Sequence, residues 1–256
     1  MSHRCRLAAL QPLVRYVDQQ RAVIEVRFGL RPALDEPGTT PAPRAVSVRL
    51  TVRDEAGYYD QGTATVPIRE RRGSLRFEID TPRRWWPAGM GEQALYDLTL
   101  ELTDGDEADA GQTVIFGLTS VRRDRVLGER FAPSLLVNGS ICDYHSVLHV
   151  DQVHEGQLLP AAGETLLLVR DHIGSEPLYE AADRVGLLLI QCVPLHPEAD
   201  VDRAVAHQID RLVAHPSLAG YFVGHWGSLS DRVAEVLRQQ DPTRSVFRRF
   251  PLDDAA

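Results

Sequence analysis

The chain has 256 residues, enough for two domains or for one large barrel. Its 43% hydrophobic and 25% charged content fits a globular protein, and a formal net charge of −8 argues against binding nucleic acid or an anionic membrane, since both favour a basic face. No stretch reaches the roughly 18 apolar residues of a membrane span, and the start MSHRCRLAALQPLVRY lacks the apolar run of a signal peptide, so a cytoplasmic protein is the expectation. Three widely spaced cysteines (Cys5, Cys142, Cys192) suit neither a disulfide framework nor a zinc site and are read as buried thiols. All 28 basic residues are Arg, which reads as genome composition rather than a functional demand for guanidinium.

Residues 21–30, 45–54, 63–68, 74–80, 95–103 and 113–121 mostly alternate apolar with polar side chains, the period of two that marks sheets with one buried face. Turn clusters such as Asp35-Glu36-Pro37-Gly38 and Asp104-Gly105-Asp106 punctuate them, and residues 34–44, rich in Pro, Gly and Thr, read as an exposed loop. Six or seven short strands in this span predict an immunoglobulin-like β-sandwich over residues 1–126. From about residue 127 the pattern changes. Residues 165–169 (TLLLV) and 187–190 (LLLI) are continuous apolar runs of the kind found in a parallel sheet covered on both faces. Residues 175–185 read as a helix burying Leu178, Ala181, Ala182 and Val185; a second helix spans 202–213, a strand 218–223, a third helix 229–239, and Phe247 opens a further strand. This βαβα order makes residues 127–256 an α/β half, and the fold class multidomain β plus α/β.

Several motifs resemble glycoside hydrolase family 2, which includes β-galactosidases, β-glucuronidases and β-mannosidases. Residues 84–96 (RWWPAGMGEQALY) look like the WWP signature that closes the family's sandwich domain, and 113–122 resemble its last strand. Residues 134–139, ending in Asn138-Gly139, look like the entry into the family's barrel. Residues 215–226 (HPSLAGYFVGHW), a helix and then Asp241-Pro242-Thr243-Arg244 resemble the fourth barrel strand and the segment after it. The resemblance implies a (β/α) barrel of the TIM type. The chain beyond residue 126 is about half of the roughly 250 residues that an eight-fold barrel takes, so a truncated barrel of about four units is expected.

In the family the acid/base glutamate follows a Gly-Asn pair; here those positions hold His225 and Trp226. An indole cannot protonate a leaving glycosidic oxygen, and retaining hydrolysis needs two carboxyl groups about 5 Å apart. Downstream of Trp226 the only glutamate is Glu235, on a helix expected to face away from the strand ends. Arg170 stands where the family keeps a supporting arginine, with Asp171 and His172 following at a strand end; Gln191 stands where the family often has an acid, and Leu148 where it has a polar residue. The vestigial cleft expected from the resemblance is thus Arg170, Asp171, His172, Gln191, His225 and Trp226, with no catalytic residue assigned. A structural reading of Arg170 as one half of an inherited ion pair, and of Trp85 and Trp86 as a buried corner rather than a sugar platform, stands beside it. His145, His149, His154, His172, His196 and His225 raise a metal test, but no ligand motif accompanies them, so neither metal nor cofactor is expected.

These residues predict a catalytically inactive, family 2-like binding or assembly module, whose half barrel is covered by a second copy of the chain or by another protein. Two alternatives stay open: a β-glycoside hydrolase with a non-standard acid such as Asp171 or Glu176 or one from a partner, and a carbohydrate receptor in which Trp226 stacks on a pyranose.

Overall fold

The computed structural model describes residues 5–32, 44–55, 57, 59–104, 107–123, 135–142, 144, 146–150, 165–195, 201–224 and 227–248. Its first part holds two antiparallel sheets. One has the order β1-β2-β5, from Cys5–Val17, Arg21–Pro32 and Arg72–Asp80. The other has the order β4-β3-β6-β7, from Tyr59–Pro67, Ala45–Asp54, Tyr96–Asp104 and Glu107–Phe116. Alternation decides the packing. Ala22, Ile24, Val26, Phe28 and Leu30 of β2 point inward and meet Val48, Leu50 and Val52 of β3 and Leu98, Leu100 and Leu102 of β6 in one shared core. Glu25, only 8% exposed, leaves the opposite face of β2 and is held 2.8 Å from both Arg15 and Arg27. Burial works against its charge, but the two guanidiniums prevail and hold its carboxyl below the usual range.

β1 is an additional strand, absent from the sequence expectation. Pro12 and register shifts at Leu7/Ala9 and Val14/Tyr16 break the alternation that would reveal it. The last expected strand of this half, 113–121, is displaced: β7 runs Glu107–Phe116. Pairing in β7 stops at Phe116, because the chain bends at Gly117 to pack on the HPS segment. A Cβ there would lie 2.5 Å from Pro216 and 3.1 Å from the Trp85 side chain. Gly117→Ala should therefore cost about 1–3 kcal/mol, seen as a lower urea midpoint with an unchanged slope; an unaltered midpoint would contradict the tight contact.

The second part is a parallel five-stranded sheet in sequential order: β11 (Ser146–Val150), β12 (Thr165–Val169), β13 (Leu188–Cys192), β14 (Leu218–Phe222) and β15 (Ser245–Phe247). Helices α1 (Glu176–Val185), α2 (Val201–Ile209) and α3 (Ser228–Gln240) pack on one face, against Leu167, Val169, Leu189, Tyr221 and Val223. The opposite face, with Leu166, Leu168, Leu188, Ile190 and Phe247, is packed against Trp85 and a small sheet of β8 (Val121–Arg123), β9 (Leu135–Val137) and β10 (Ser140–Cys142). β11 also lies outside the sequence expectation, since Ser146 and His149 interrupt its apolar run.

α1 has clear end signals: the Ser175 hydroxyl accepts from Leu178 N, Pro177 sits in the first turn, and Gly186 closes the helix at φ 76°. Its buried face departs from the expected one. Leu178 and Ala182 are buried, but Tyr179 and Asp183 join them, while Ala181 and Val185 are exposed. The reason is polar: the Asp183 carboxylate accepts from Ser217 N at 3.0 Å and lies 2.6 Å from His215 Nδ1, which turns that side of the helix inward. α2 ends at Ile209 and gives way to turns, short of the expected 213. The 34–44 loop lies outside the described residues apart from Arg44. Among the described residues no helix is long and apolar enough to cross a membrane.

Candidate functional site

In a parallel α/β sheet, sites form beyond the carboxyl ends of the strands. Strand parity decides which side chains reach that rim on the face away from the helices. The pairing places Cys192 beside Phe222, and Phe222 beside Phe247, one step past the Val169–Gln191 pair. Arg170, next after β12, continues the parity of Leu166 and Leu168. His149 shares the parity of Val147, and its Nδ1 lies 3.4 Å from Arg170 Nη1. The rim therefore carries His149, Arg170, Cys192, Phe222 and Phe247, and among the described residues no pair of carboxylates stands on it.

The sequence-expected residues separate accordingly. Arg170 is at the rim and exposed. Asp171 is exposed in a left-handed turn at φ 64°, and His172 folds back so that Nδ1–H donates to the Arg170 carbonyl at 2.7 Å. Gln191 is fully buried on the opposite, helix-packed side. Its Oε1 accepts from Gly174 N and Tyr179 Oη, and its Nε2 donates to the carbonyls of His172 and Cys192. Every hydrogen-bonding group of the amide is in use, so Gln191 pins the 172–174 loop rather than lining a cleft. Gln191→Leu should destabilise by about 1–3 kcal/mol through stranded partners, measured by thermal melting; an unchanged midpoint would free Gln191 for another role. Leu148 shares the side of Val150 and is 43% exposed, because β11 is an edge strand. His225 and Trp226 lie outside the described residues, as do His145, His154 and His196.

Cys192 and Phe222 are the rim residues that motif alignment passes over; the alternation LLLIQC places the thiol, one residue beyond the glutamine, on the open face. Burial pushes the Cys192 thiol up to about 12, Asp171 adding to the shift and Arg170 opposing it, so it is a neutral thiol at neutral pH rather than a nucleophile. Among the described residues no group of three or more His, Cys, Asp or Glu could hold a metal ion.

The polar motifs that the sequence displays most clearly sit elsewhere, between the sheet and its helices. His215 is 3% exposed, bound to Asp183 and stacked on Tyr179 at 5.1 Å between ring centroids. Glu176 Oε1 lies 3.4 Å from His215 Nε2, an ion-pair distance without a formed hydrogen bond. Burial opposes the imidazolium, but Asp183 and Glu176 outweigh it and raise the pKa to about 9. Asp241 accepts from Tyr221 Oη at 2.9 Å and from Thr243 N and Oγ1, while Arg244 Nη2 donates to the His215 carbonyl at 3.3 Å. HPS and DPTR are thus two ends of one buried fastening.

The WWP corner is structural too. Trp85 is fully buried and its Nε1 donates to the Asp183 carbonyl at 2.7 Å. Asn138 Nδ2 donates to the Trp85 carbonyl at 2.9 Å, and Asn138 Oδ1 accepts from Ser120 N. Trp86 is half-buried, with the Arg84 guanidinium 4.7 Å above its ring.

A family model described as Glycosyl hydrolases family 2 matches residues 13–118. The chain is 24% identical over 243 residues to β-mannosidase A of Aspergillus fumigatus, covering 79% of this chain and 26% of that protein. It is 29% identical over 124 residues to an exo-β-D-glucosaminidase of Streptomyces avermitilis, covering 44% of this chain and 13% of that one. Among solved structures, a putative β-galactosidase from Bacteroides fragilis superposes with a TM-score of 0.73 at 15% identity, covering 96% of this chain and 40% of that chain. An exo-chitosanase from Amycolatopsis orientalis gives 0.70 at 18% identity, covering 98% and 33%. The chain therefore spans about a quarter or less of the length of these two curated relatives.

Proposed function

The chain is related to the glycosyl hydrolases of family 2, and on that premise we propose that it is a non-hydrolytic binding or assembly module on their scaffold. In this proposal residues 1–126 form an immunoglobulin-like β-sandwich, which the core shared by the two antiparallel sheets supports. Residues 127–256 form part of a TIM-type (β/α) barrel, which the sequential order of β11 to β15 and the helices on one face support. The observation that carries the function is the rim itself. Among the described residues its row holds His149, Arg170, Cys192, Phe222 and Phe247 and no pair of carboxylates, whereas a retaining glycosidase needs two carboxyl groups about 5 Å apart there. The sequence adds Trp226 in place of the acid/base.

Purified protein at high concentration should turn over none of the 4-nitrophenyl β-galactoside, β-glucuronide, β-mannoside and β-glucosaminide. Turnover that persists through repurification and disappears in Asp171→Asn or Glu176→Gln would overturn the proposal and establish a hydrolase with an unaligned acid.

The assembly half of the proposal rests on the sheet. β11 and β15 end the five-stranded order, and Val147, Cys192 and Phe222 are only partly covered. A second copy of the chain or a separate protein would cover them. Sedimentation velocity at micromolar concentration should show a species larger than the monomer in protein purified from its own cells; a monomer in both native and recombinant preparations would remove this half.

A further inference from the structure

Asn138 is the only asparagine in the 256-residue chain, and a glycine follows it. The pair forms the two-residue loop between β9 and β10, whose flanking residues Val137 and Ser140 are partners in the ladder. Asn138 sits at φ 51° and Gly139 at φ 85°. So tight a hairpin needs left-handed backbone at both positions, and Asn and Gly adopt it most readily. Glycine at position 138 would satisfy the backbone equally well, so the amide serves a second purpose.

That purpose is the joint between the two parts of the chain. Asn138 Nδ2 donates to the Trp85 carbonyl at 2.9 Å, and Oδ1 accepts from Ser120 N at 2.9 Å. Asn138 N donates in turn to the Ser120 carbonyl at 2.8 Å. One short planar group thus answers both the carbonyl of the WWP corner and the amide just before β8. A carboxylate in its place would supply the acceptor and no donor. Trp85 itself bonds to the Asp183 carbonyl of α1, so the Asn138 amide stands one residue away from the contact that ties the parallel sheet to the corner.

Asn-Gly is also the pair in which an asparagine amide is most readily lost. The Gly139 backbone nitrogen attacks Asn138 Cγ, and the new N–Cγ bond closes a five-membered succinimide. The Cγ–Nδ2 bond breaks, and Nδ2 leaves as ammonia with the proton that Gly139 gives up. Water then opens the ring: attack at Cγ leaves aspartate, and attack at the backbone carbonyl leaves isoaspartate. Glycine favours the first step because its nitrogen is unhindered. A Cβ at Gly139 would meet no described atom within 4 Å beyond its chain neighbours, so no other side chain shields the turn. What holds the reaction back in the folded chain is the pair of bonds on the amide. Cγ cannot swing to the Gly139 nitrogen while Ser120 holds Oδ1 and Trp85 holds Nδ2.

We propose that Asn138 is a site of spontaneous deamidation gated by this joint: the amide is lost when the hairpin and the WWP corner separate, and the modified chain closes the joint poorly. Aspartate sets a carboxylate against the Trp85 carbonyl, two acceptors with no donor between them, at a half-buried position. Isoaspartate adds a backbone carbon to a two-residue loop and breaks the Val137–Ser140 pairing. Each opening of the joint is therefore a chance of one-way damage, at the single asparagine the chain contains. None of this depends on what the sheet rim binds.

The test is mass spectrometry of protein held for days at about pH 8, in buffer and in guanidinium chloride that unfolds it. Deamidation adds one mass unit, and peptide fragmentation assigns it to residue 138. Loss of the amide should be at least tenfold slower in buffer than in the denaturant. Trp85→Phe leaves Asn138 and its turn in place but weakens the joint, so it should speed the loss in buffer about fivefold or more, in step with the larger open population. Asn138→Asp, the product made directly, should have a lower urea midpoint than the intact chain. Equal rates in buffer and denaturant would show that the fold gives no protection. An unchanged rate in Trp85→Phe would show that the hairpin opens without the joint, and an unchanged midpoint in Asn138→Asp that the modified joint closes normally. Any one of these three results would overturn the proposal.

Discussion

Trp85→Ala should be the most damaging single substitution in the chain, lowering stability by about 3–5 kcal/mol out of the roughly 5–15 kcal/mol that holds a typical domain folded. The indole is fully buried, packs in one cluster with Leu166, Leu188 and Ile190 of the parallel sheet and Val121 and Val137 of the small sheet, and bonds to the backbone of α1. Removing it opens a cavity where the first part of the chain meets the second. Trp85→Phe keeps most of the volume and strands the Asp183 carbonyl, so its smaller loss of about 1–3 kcal/mol isolates the hydrogen bond. Urea titrations followed by circular dichroism measure both. The alanine variant should also spread the transition, because the two parts lose their shared core. A loss below 1 kcal/mol for Trp85→Ala would mean that the corner is not what joins them.

The second large effect concerns pH. His215 titrates at about 9 in the folded chain against 6.5 for an ordinary histidine. A raised pKa favours the folded state fully below the ordinary value and loses that contribution as pH climbs through the folded one. Stability should thus fall between about pH 6.5 and pH 9, by on the order of 3 kcal/mol. Glu176 is displaced downward, chiefly by His215, so its contribution fades only on the acid side; with half of its side chain exposed, it is worth under about 1 kcal/mol. Asp183→Asn removes the counter-charge and should lose about 3–5 kcal/mol near pH 6.5 while flattening the alkaline decline. Denaturant midpoints collected between pH 6 and pH 9.5 for both proteins decide the matter. An alkaline decline of equal size in Asp183→Asn would show that some other group titrates.

Both effects arise from residues whose importance the sequence announces without explaining. Period-two alternation exposes β2, β3, β5 and β6 because each has one wet face and one dry one. It misses β1, where Pro12 and two bulges disrupt the pattern, and β11, an edge strand with polar residues inside it. On α1, hydrophobicity alone puts Ala181 and Val185 inward, whereas the helix turns to bury Asp183 because His215 and Ser217 wait for it. At the rim, a motif position marks Gln191, yet the alternation of side chains delivers Cys192 to the open face and Gln191 to the helices. Propensity sees one chain segment at a time, and these outcomes depend on partners in other segments or on the parity of a neighbouring strand.

The fastening formed by HPS, DPTR and the WWP corner also bears on how such a chain changes over generations. Asp183 ties His215 and Ser217, Arg244 ties His215, Asp241 ties Tyr221, and Trp85 ties α1, all behind or beneath the sheet and away from the row of side chains at its rim. Selection for a folded chain is enough to preserve every one of those letters. His149 and Arg170 of the rim row share none of these bonds and are exposed, so those two positions can drift without loosening the fastening. A lineage built this way would keep its ancestral signature long after its chemistry had been exchanged for another, so the signature dates the scaffold and not the trade it follows.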